Sequence, residues 1–273
     1  MKTCRPVLKR TETFVEEITM ETTMILKNKI TSNLTELKLH GMVSALKHQL
    51  CNDNYENKSF LQRLDEIVVE QLNATANVRI ARLTKQASIR FPSASIGGID
   101  YAVMPSLKPA LVEELAQLEW LKNHRHIIIT GPTGTGKTTL ASALANTVIT
   151  NGIAAIHCRF KTLILNLAAA ERDRRAATFK RKVEKVPLLI IDDWGTAPLS
   201  VIERHSLFEL IEKRDQNSSL LITSQFAVVE WHDAFGDATV ADSTLDRIVH
   251  SAHKIVLKGE SIRKLLGLKG GSK

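Results

Sequence analysis

The stretch Gly131-Pro132-Thr133-Gly134-Thr135-Gly136-Lys137-Thr138 decides how the rest of the chain is read. It fits the pattern G-x-x-x-x-G-K-[S/T], and its surroundings suit the pattern. The apolar run His126 to Thr130 precedes it, and the Ala- and Leu-rich run Lys137 to Thr150 follows. Strand, loop and helix therefore come in the order that a phosphate-binding loop needs. Glycines let backbone N–H groups wrap a polyphosphate. The start of the new helix aims its unpaired N–H groups and the positive end of its dipole at the same anion. Lys137 adds a mobile positive charge for the outer phosphates, and Thr138 adds a hydroxyl for Mg²⁺. The expected nucleotide-binding segment is Gly131, Pro132, Thr133, Gly134, Thr135, Gly136, Lys137, Thr138 and Thr139.

Leu188-Leu189-Ile190-Ile191-Asp192-Asp193 reads as the second half of such a site. A buried strand delivers a carboxylate at its C-terminal edge, where ligands bind in open α/β sheets. Asp192 is the candidate partner of Thr138 in holding Mg²⁺, and Asp193 the candidate to orient or deprotonate an attacking water. Leu220-Leu221-Ile222-Thr223-Ser224-Gln225 is a further strand with a polar end. Placed beside the Asp192 strand, it aims Ser224 or Gln225 at that water.

Outward from these motifs, short apolar strands alternate with helices. Leu107 to Leu121, Lys137 to Thr150, Lys161 to Glu171, Val201 to Arg214 and Val240 to Val249 read as helices. His126 to Thr130, Ile153 to Cys158, Leu188 to Ile191, Leu220 to Thr223 and Lys254 to Leu257 read as strands. Fully apolar strands between helices imply an α/β fold with a parallel sheet covered on both faces. Residues 34–92 lack such strands and read as a small helical domain. Leu34, Leu37, Met42 and Leu46 recur at helical spacing, and Ser59 caps a helix carrying Phe60, Leu61, Leu64, Ile67, Val68 and Leu72. Arg79, Arg82, Lys85 and Arg90 trail it as a basic face, and Phe91-Pro92 marks the boundary. The expected division is a poorly ordered tail over 1–33, a helical domain over 34–92 and an ATPase domain over 93–273.

Bulk properties exclude several classes. The 273 residues are 44% hydrophobic and 24% charged, an ordinary globular balance. Neither a signal peptide nor an apolar run of membrane-spanning length is present, so a cytoplasmic protein with no membrane partner is expected. Cys4, Cys51 and Cys158 are isolated, which supports neither disulfides nor zinc, and His250 and His253 have no ligand partners at suitable spacing. Trp120, Trp194 and Trp231 are read as packing residues. The net charge of +8 leans toward a polyanionic partner.

The strings G-P-T-G-T-G-K-T, L-L-I-I-D-D-W-G, L-I-T-S-Q-F, W-H-D-A-F-G-D, L-D-R-I-V-H-S-A-H and K-G-E-S-I-R-K together resemble the IstB-like ATP-binding proteins. These are helper ATPases encoded beside insertion-sequence transposases, and they are similar to the DnaA/DnaC group of replication initiators and helicase loaders. The resemblance covers about Leu34 to Lys264. It implies an AAA+ core with a parallel five-stranded sheet, ATP and Mg²⁺ as cofactors, and ATP hydrolysis coupled to self-assembly into a homo-oligomer. It further implies binding to double-stranded DNA and regulation of a transposase. Apart from the resemblance, the helical domain is read as an oligomerisation or docking module and is the expected docking face. The alternatives are a DnaC-like replicative helicase loader and, from another class, a P-loop kinase. Two departures stand out: the acidic pair is Asp-Asp where Asp-Glu is common among AAA+ proteins, and Gln225 stands where many have Asn.

By the same resemblance Arg247, in Leu245-Asp246-Arg247, is an arginine finger for a neighbour's γ-phosphate; a surface ion pair with Asp246 or Asp242 is the alternative. Arg263 resembles a second nucleotide-sensing arginine. The densest basic segment holds Arg172, Arg174, Arg175, Lys180, Arg181, Lys182 and Lys185. It occupies the place of an inserted, DNA-facing helix in the initiators. Only Phe179 is interleaved, which favours backbone phosphate contact over base stacking.

Overall fold

The computed structural model describes residues 22–262, except Glu56 and Glu171, together with Lys264. These residues fall into two compact units, one up to Arg79 and one from Ile80.

The first unit is helical. It comprises α1 (22–36), α2 (His40–Leu50) and most of α3 (Phe60–Ala87). Residues 22–33, expected as part of an unstructured tail, thus belong to a helix, while residues 1–21 lie outside the described set. Gly41 sits where α2 crosses α3. A Cβ there would lie 2.7 Å from Gln71 Cα, so only glycine allows the approach. Gln71 Oε1 in turn accepts hydrogen bonds from the backbone N–H groups of Gly41 and Met42, at 2.9 and 3.2 Å, and so caps α2 from the neighbouring helix. Ser59 caps α3 as its sequence position suggests, trading hydrogen bonds with Gln62. The apolar stripe Phe60, Leu61, Leu64, Val68 and Leu72 is exposed.

The break between units falls at Arg79/Ile80 rather than near Pro92 because the end of α3 is anchored in the second unit. Leu83 and Ala87 are buried in its core, and nothing in the period of the helix marks that change of surroundings.

The second unit is a three-layer α/β/α sandwich. Its sheet consists of β1 (His126–Thr130), β2 (Ala155–Arg159), β3 (Leu188–Trp194), β4 (Ser219–Ser224) and β5 (Ala252–Val256). The order across the sheet is β2-β3-β4-β1-β5, and every neighbouring pair is parallel. Alternation along the strands divides the core. Ile127, Ile129, Leu188, Ile190 and Leu221 face a layer formed by the end of α3, α4 (Pro109–Ala116), α5 (Glu119–Lys122) and α6 (Lys137–Thr150). Ile128, Leu189, Ile191, Leu220 and Ile222 face α7 (Phe160–Ala169), α8 (Arg174–Lys185), α9 (Val201–Arg214) and α10 (Ala238–Val249). Trp120, Trp194 and Trp231 are all buried packing residues.

One helix differs from its sequence reading. The span Leu107 to Leu121 is two helices, because Leu118 adopts a left-handed conformation (φ 61°) between them. The Trp120 indole N–H bonds back to the Leu115 carbonyl across that corner.

The strand order positions the site. β4 lies between the strand that feeds the glycine-rich loop, β1, and the strand that carries the acidic pair, β3. The C-terminal edges of all three therefore meet at one end of the sheet.

Candidate nucleotide site

The glycine-rich loop leaves β1 at Thr130 and enters α6 at Lys137. Gly131 has φ 147°, and a Cβ on it would lie 2.2 Å from the Leu257 carbonyl oxygen. The first glycine is thus demanded by contact with the chain leaving β5. Gly136, at the α6 N-cap, has φ 90°, and no side chain caps this helix. An uncapped N-terminus is what an anion-binding helix start requires. Lys137 is buried, and its Nζ donates to the Gly131 and Pro132 carbonyls at 2.6 and 2.7 Å. The Thr135 hydroxyl also donates to Pro132 O, at 2.9 Å, which draws the loop into a closed arc.

Asp192 is fully buried at the end of β3. Its Oδ1 accepts hydrogen bonds from the Thr138 hydroxyl at 3.0 Å and from the Thr223 hydroxyl. Arg90 Nη1 bonds to Oδ2 at 3.3 Å, and His157 Nε2 lies 3.6 Å from the same oxygen. Burial alone would raise the pKa of this carboxyl. The His157 imidazole and the Thr223 and Thr138 hydroxyls outweigh burial and hold it down at about 2.

Asp193 has a left-handed backbone (φ 61°), unusual for a residue other than glycine. The cause is a β-bulge. Ile191 pairs with Ile222 and Trp194 with Ser224, so Asp192 and Asp193 together oppose Thr223. The Thr223 hydroxyl serves both, donating to Asp192 and accepting from the Asp193 N–H at 3.2 Å. A regular strand would send consecutive side chains to opposite faces. With the bulge, Asp193 lines the cavity described next while Asp192 stays buried.

That cavity, of about 460 Å³, is lined by Thr133, Gly134, Gly136, Lys137, Thr138 and Thr139 of the loop, by Asp193 and Gln225, and by Arg90, Phe91 and Ile262. Gln225 is tied to the loop, its Oε1 accepting from the Thr133 hydroxyl at 2.8 Å. Of the two residues expected at the end of β4, only Gln225 reaches the cavity. Ser224 is buried, donates to the Trp194 carbonyl and accepts from the Phe226 N–H. It closes the bulge and is withdrawn from any water in the cavity.

The donor set fits Mg²⁺ and ATP. An uncapped helix N-terminus, a buried lysine on the loop and the Thr138 hydroxyl border one cleft, and the buried Asp192 carboxylate lies 3.0 Å from that hydroxyl. Arg90, His157 and Thr223 do not stand out as site residues in the sequence. Arg90 reads as one of a row of basic residues after a helix, and His157 sits inside an apolar strand. Only pairing β2 against β3, with Arg159 opposite Asp192, shows that β2 runs beside the carboxylate.

Arg247 does not line this cavity. On α10 its Nη1 donates to the Ser243 carbonyl at 2.6 Å. Its guanidinium lies 3.9 Å from Glu212 and from Asp215 and packs over the Phe208 ring at 5.5 Å. Its carboxylate partners are therefore on and just after α9, not Asp246 or Asp242. Arg263 lies outside the described residues. On α8, Asp173 caps the N-terminus and Ala176 and Val183 face the core. Arg174, Arg175, Arg181, Lys182 and Lys185 belong to α8 or its last turn, and Arg172 just before the helix is exposed, as are Arg174, Arg175, Arg181 and Lys182. Lys180 instead pairs with Glu209 at 2.8 Å.

A glycine-rich loop, an acidic strand and an intervening polar strand on a five-stranded parallel sheet define an AAA+ P-loop protein. Solved structures share this fold. The DnaI crystal structure aligns with TM-score 0.53 at 20% identity, over 61% of this chain and 92% of that one. AMPPCP-bound DnaA from Aquifex aeolicus aligns with TM-score 0.51 at 17% identity, over 65% of this chain and 55% of that one. Within the class, the chain belongs to the family of IstB-like ATP binding proteins, whose family model matches residues 32–269. The y4pL protein of Sinorhizobium fredii, named as an insertion sequence ATP-binding protein, is 35% identical over 85% of this chain and 94% of its own length. A similarly named protein of the insertion sequence IS1162 from Pseudomonas fluorescens is 34% identical over 71% of this chain and 84% of its own.

Proposed function

We propose that this protein is the helper ATPase of an insertion sequence, which uses ATP to assemble with itself on double-stranded DNA and to engage a transposase there. The observation that carries the reading is the convergence of Lys137, Thr138, Asp193 and Gln225 on one cavity, backed by buried Asp192, in a chain whose relatives are named for insertion sequences and ATP binding.

Lys137 leaves its loop carbonyls to meet the outer phosphates. Thr138 and Asp192 would hold a Mg²⁺ ion, which would supply charge neutralisation at the phosphoryl group being transferred. Asp193, at its bulge, polarises the attacking water, and Gln225 fixes the water's position from the other side. Arg247 completes a neighbour's site; its place outside its own cavity supports action between subunits. The exposed cations on α8 suit a phosphate backbone, because each one that displaces condensed counterions from DNA strengthens binding without reading sequence. No helix among the described residues is long and apolar enough to cross a membrane. A cytoplasmic setting belongs to the same reading.

The test is retention on immobilised duplex DNA with and without ATP, followed by addition of the transposase encoded beside the gene. Wild-type protein should be retained with ATP and should raise strand-transfer product. Lys137→Ala should lose nucleotide binding, ATP-dependent retention and stimulation together. Retention and stimulation indifferent to both ATP and Lys137 would overturn the proposal.

A further inference from the structure

We propose that Arg90 is a second cation of the nucleotide site, in the same subunit, that contacts the terminal phosphate and makes the site prefer a nucleoside triphosphate to a diphosphate. The inference rests on the reading of the cavity as an ATP site.

Three observations place Arg90 there. First, its side chain lines the cavity that Lys137, Thr138, Asp193 and Gln225 line. Second, its hydrogen bond, among the described residues, is to Asp192 Oδ2, while Thr138 donates to both oxygens of that carboxylate, at 3.0 Å to Oδ1 and 3.4 Å to Oδ2. Thr138 and Asp192 are the residues that would hold a metal ion beside the outer phosphates. The guanidinium therefore lies at the terminal-phosphate end of the cleft. Third, its backbone neighbourhood is held by the helix that begins at the loop. The Asn146 amide on α6 donates to the carbonyls of Phe91, Pro92 and Ala94, at 3.2, 3.2 and 2.7 Å. Arg90 is thereby anchored to the same helix as Lys137, with its guanidinium 5.7 Å from the Phe91 ring centre.

The side chain keeps 31% of its surface exposed and its bond to Asp192 is long at 3.3 Å, so exchanging the carboxylate for a phosphate oxygen costs little. Its planar fork can hold two oxygens of a terminal phosphate. A diphosphate has no group at that position. The rival account is that Arg90 only balances the buried charge of Asp192, and it predicts equal effects on both nucleotides.

The experiment measures equilibrium affinity for a fluorescent non-hydrolysable ATP analogue and for fluorescent ADP, both with Mg²⁺. It uses wild type, Arg90→Gln, Arg90→Lys and Lys137→Ala, each shown to be folded by thermal unfolding. Arg90→Gln should weaken the triphosphate about tenfold or more, as expected for losing a charge-assisted hydrogen bond, and leave the diphosphate within about twofold. Arg90→Lys should restore part of the preference, since the charge returns without the fork. A triphosphate-to-diphosphate ratio in Arg90→Gln equal to wild type would refute the assignment, whether both affinities fall or neither does. In that case, loss of binding in Lys137→Ala shows that the ATP site itself stands; undiminished binding there removes that reading too.

Discussion

Arg247→Ala separates a structural role from a catalytic one, because the structure sets the size of the first. The side chain is 29% exposed. Its carboxylate partners are 3.9 Å away, and one of them, Glu212, is 55% exposed. Pairs of this kind contribute about 0–1 kcal/mol each, and a cation over the half-buried Phe208 ring about 1 kcal/mol. The bond to Ser243 O joins one turn of α10 and leaves a carbonyl that water can satisfy. Truncation should therefore cost about 1–2 kcal/mol of stability, a few degrees in Tm for a unit of this size. An arginine finger is worth a thousandfold or more in turnover, about 4 kcal/mol of barrier. The variant should bind ATP normally, unfold within a few degrees of wild type and hydrolyse about a thousandfold more slowly. The assay is phosphate release as a function of protein concentration, with and without DNA. Wild-type specific activity should rise with concentration. An equal mixture of Arg247→Ala and Lys137→Ala should recover part of the activity, since an intact loop of one subunit meets an intact finger of the other. No recovery in mixed oligomers shown to form would refute action between subunits, and turnover near the wild-type rate in Arg247→Ala would refute the catalytic role.

Two further outcomes follow from the site and its surroundings. Asp192 titrates at about 2 when folded against an ordinary 3.8, so its contribution of about 2–3 kcal/mol is complete above the ordinary value. It is lost as pH falls toward 2, and Asp192→Asn should flatten acid unfolding in that window; an unchanged profile would mean that the carboxylate is not held as the geometry implies. Neutralising Arg174, Arg175, Arg181 and Lys182 together should lower the slope of log DNA affinity against log salt by up to roughly 0.9 for each phosphate left without its cation, whereas Lys180→Ala, already paired with Glu209, should leave the slope alone. If the four-fold variant keeps the wild-type slope, the DNA-binding cations lie elsewhere on the protein.

Local pattern was enough to expose the phosphate loop, because its chemistry depends on consecutive residues. Glycines, lysine and threonine must follow one another between a strand and a helix, and Lys137–Thr150 forms the helix read from sequence. The three-layer α/β class was likewise legible, since strands buried on both faces have to be apolar throughout. Alternation of Ile127, Ile128 and Ile129 between the two core layers needed nothing beyond the pleat.

What surrounds Asp192 was decided only in three dimensions. Arg90 is 102 residues from it in sequence, and His157 approaches through the pairing of β2 with β3. The bulge at Asp193 depends on how β3 registers with β4, so neither strand alone reveals which of its polar residues reaches the cavity. That register sends Ser224 into the packing and leaves Gln225 on the loop. A sequence written in order records neighbours along the chain. A binding site gathers neighbours across parallel strands, and in a parallel sheet those are separated by whole crossovers, so their contacts leave no periodic trace in the sequence.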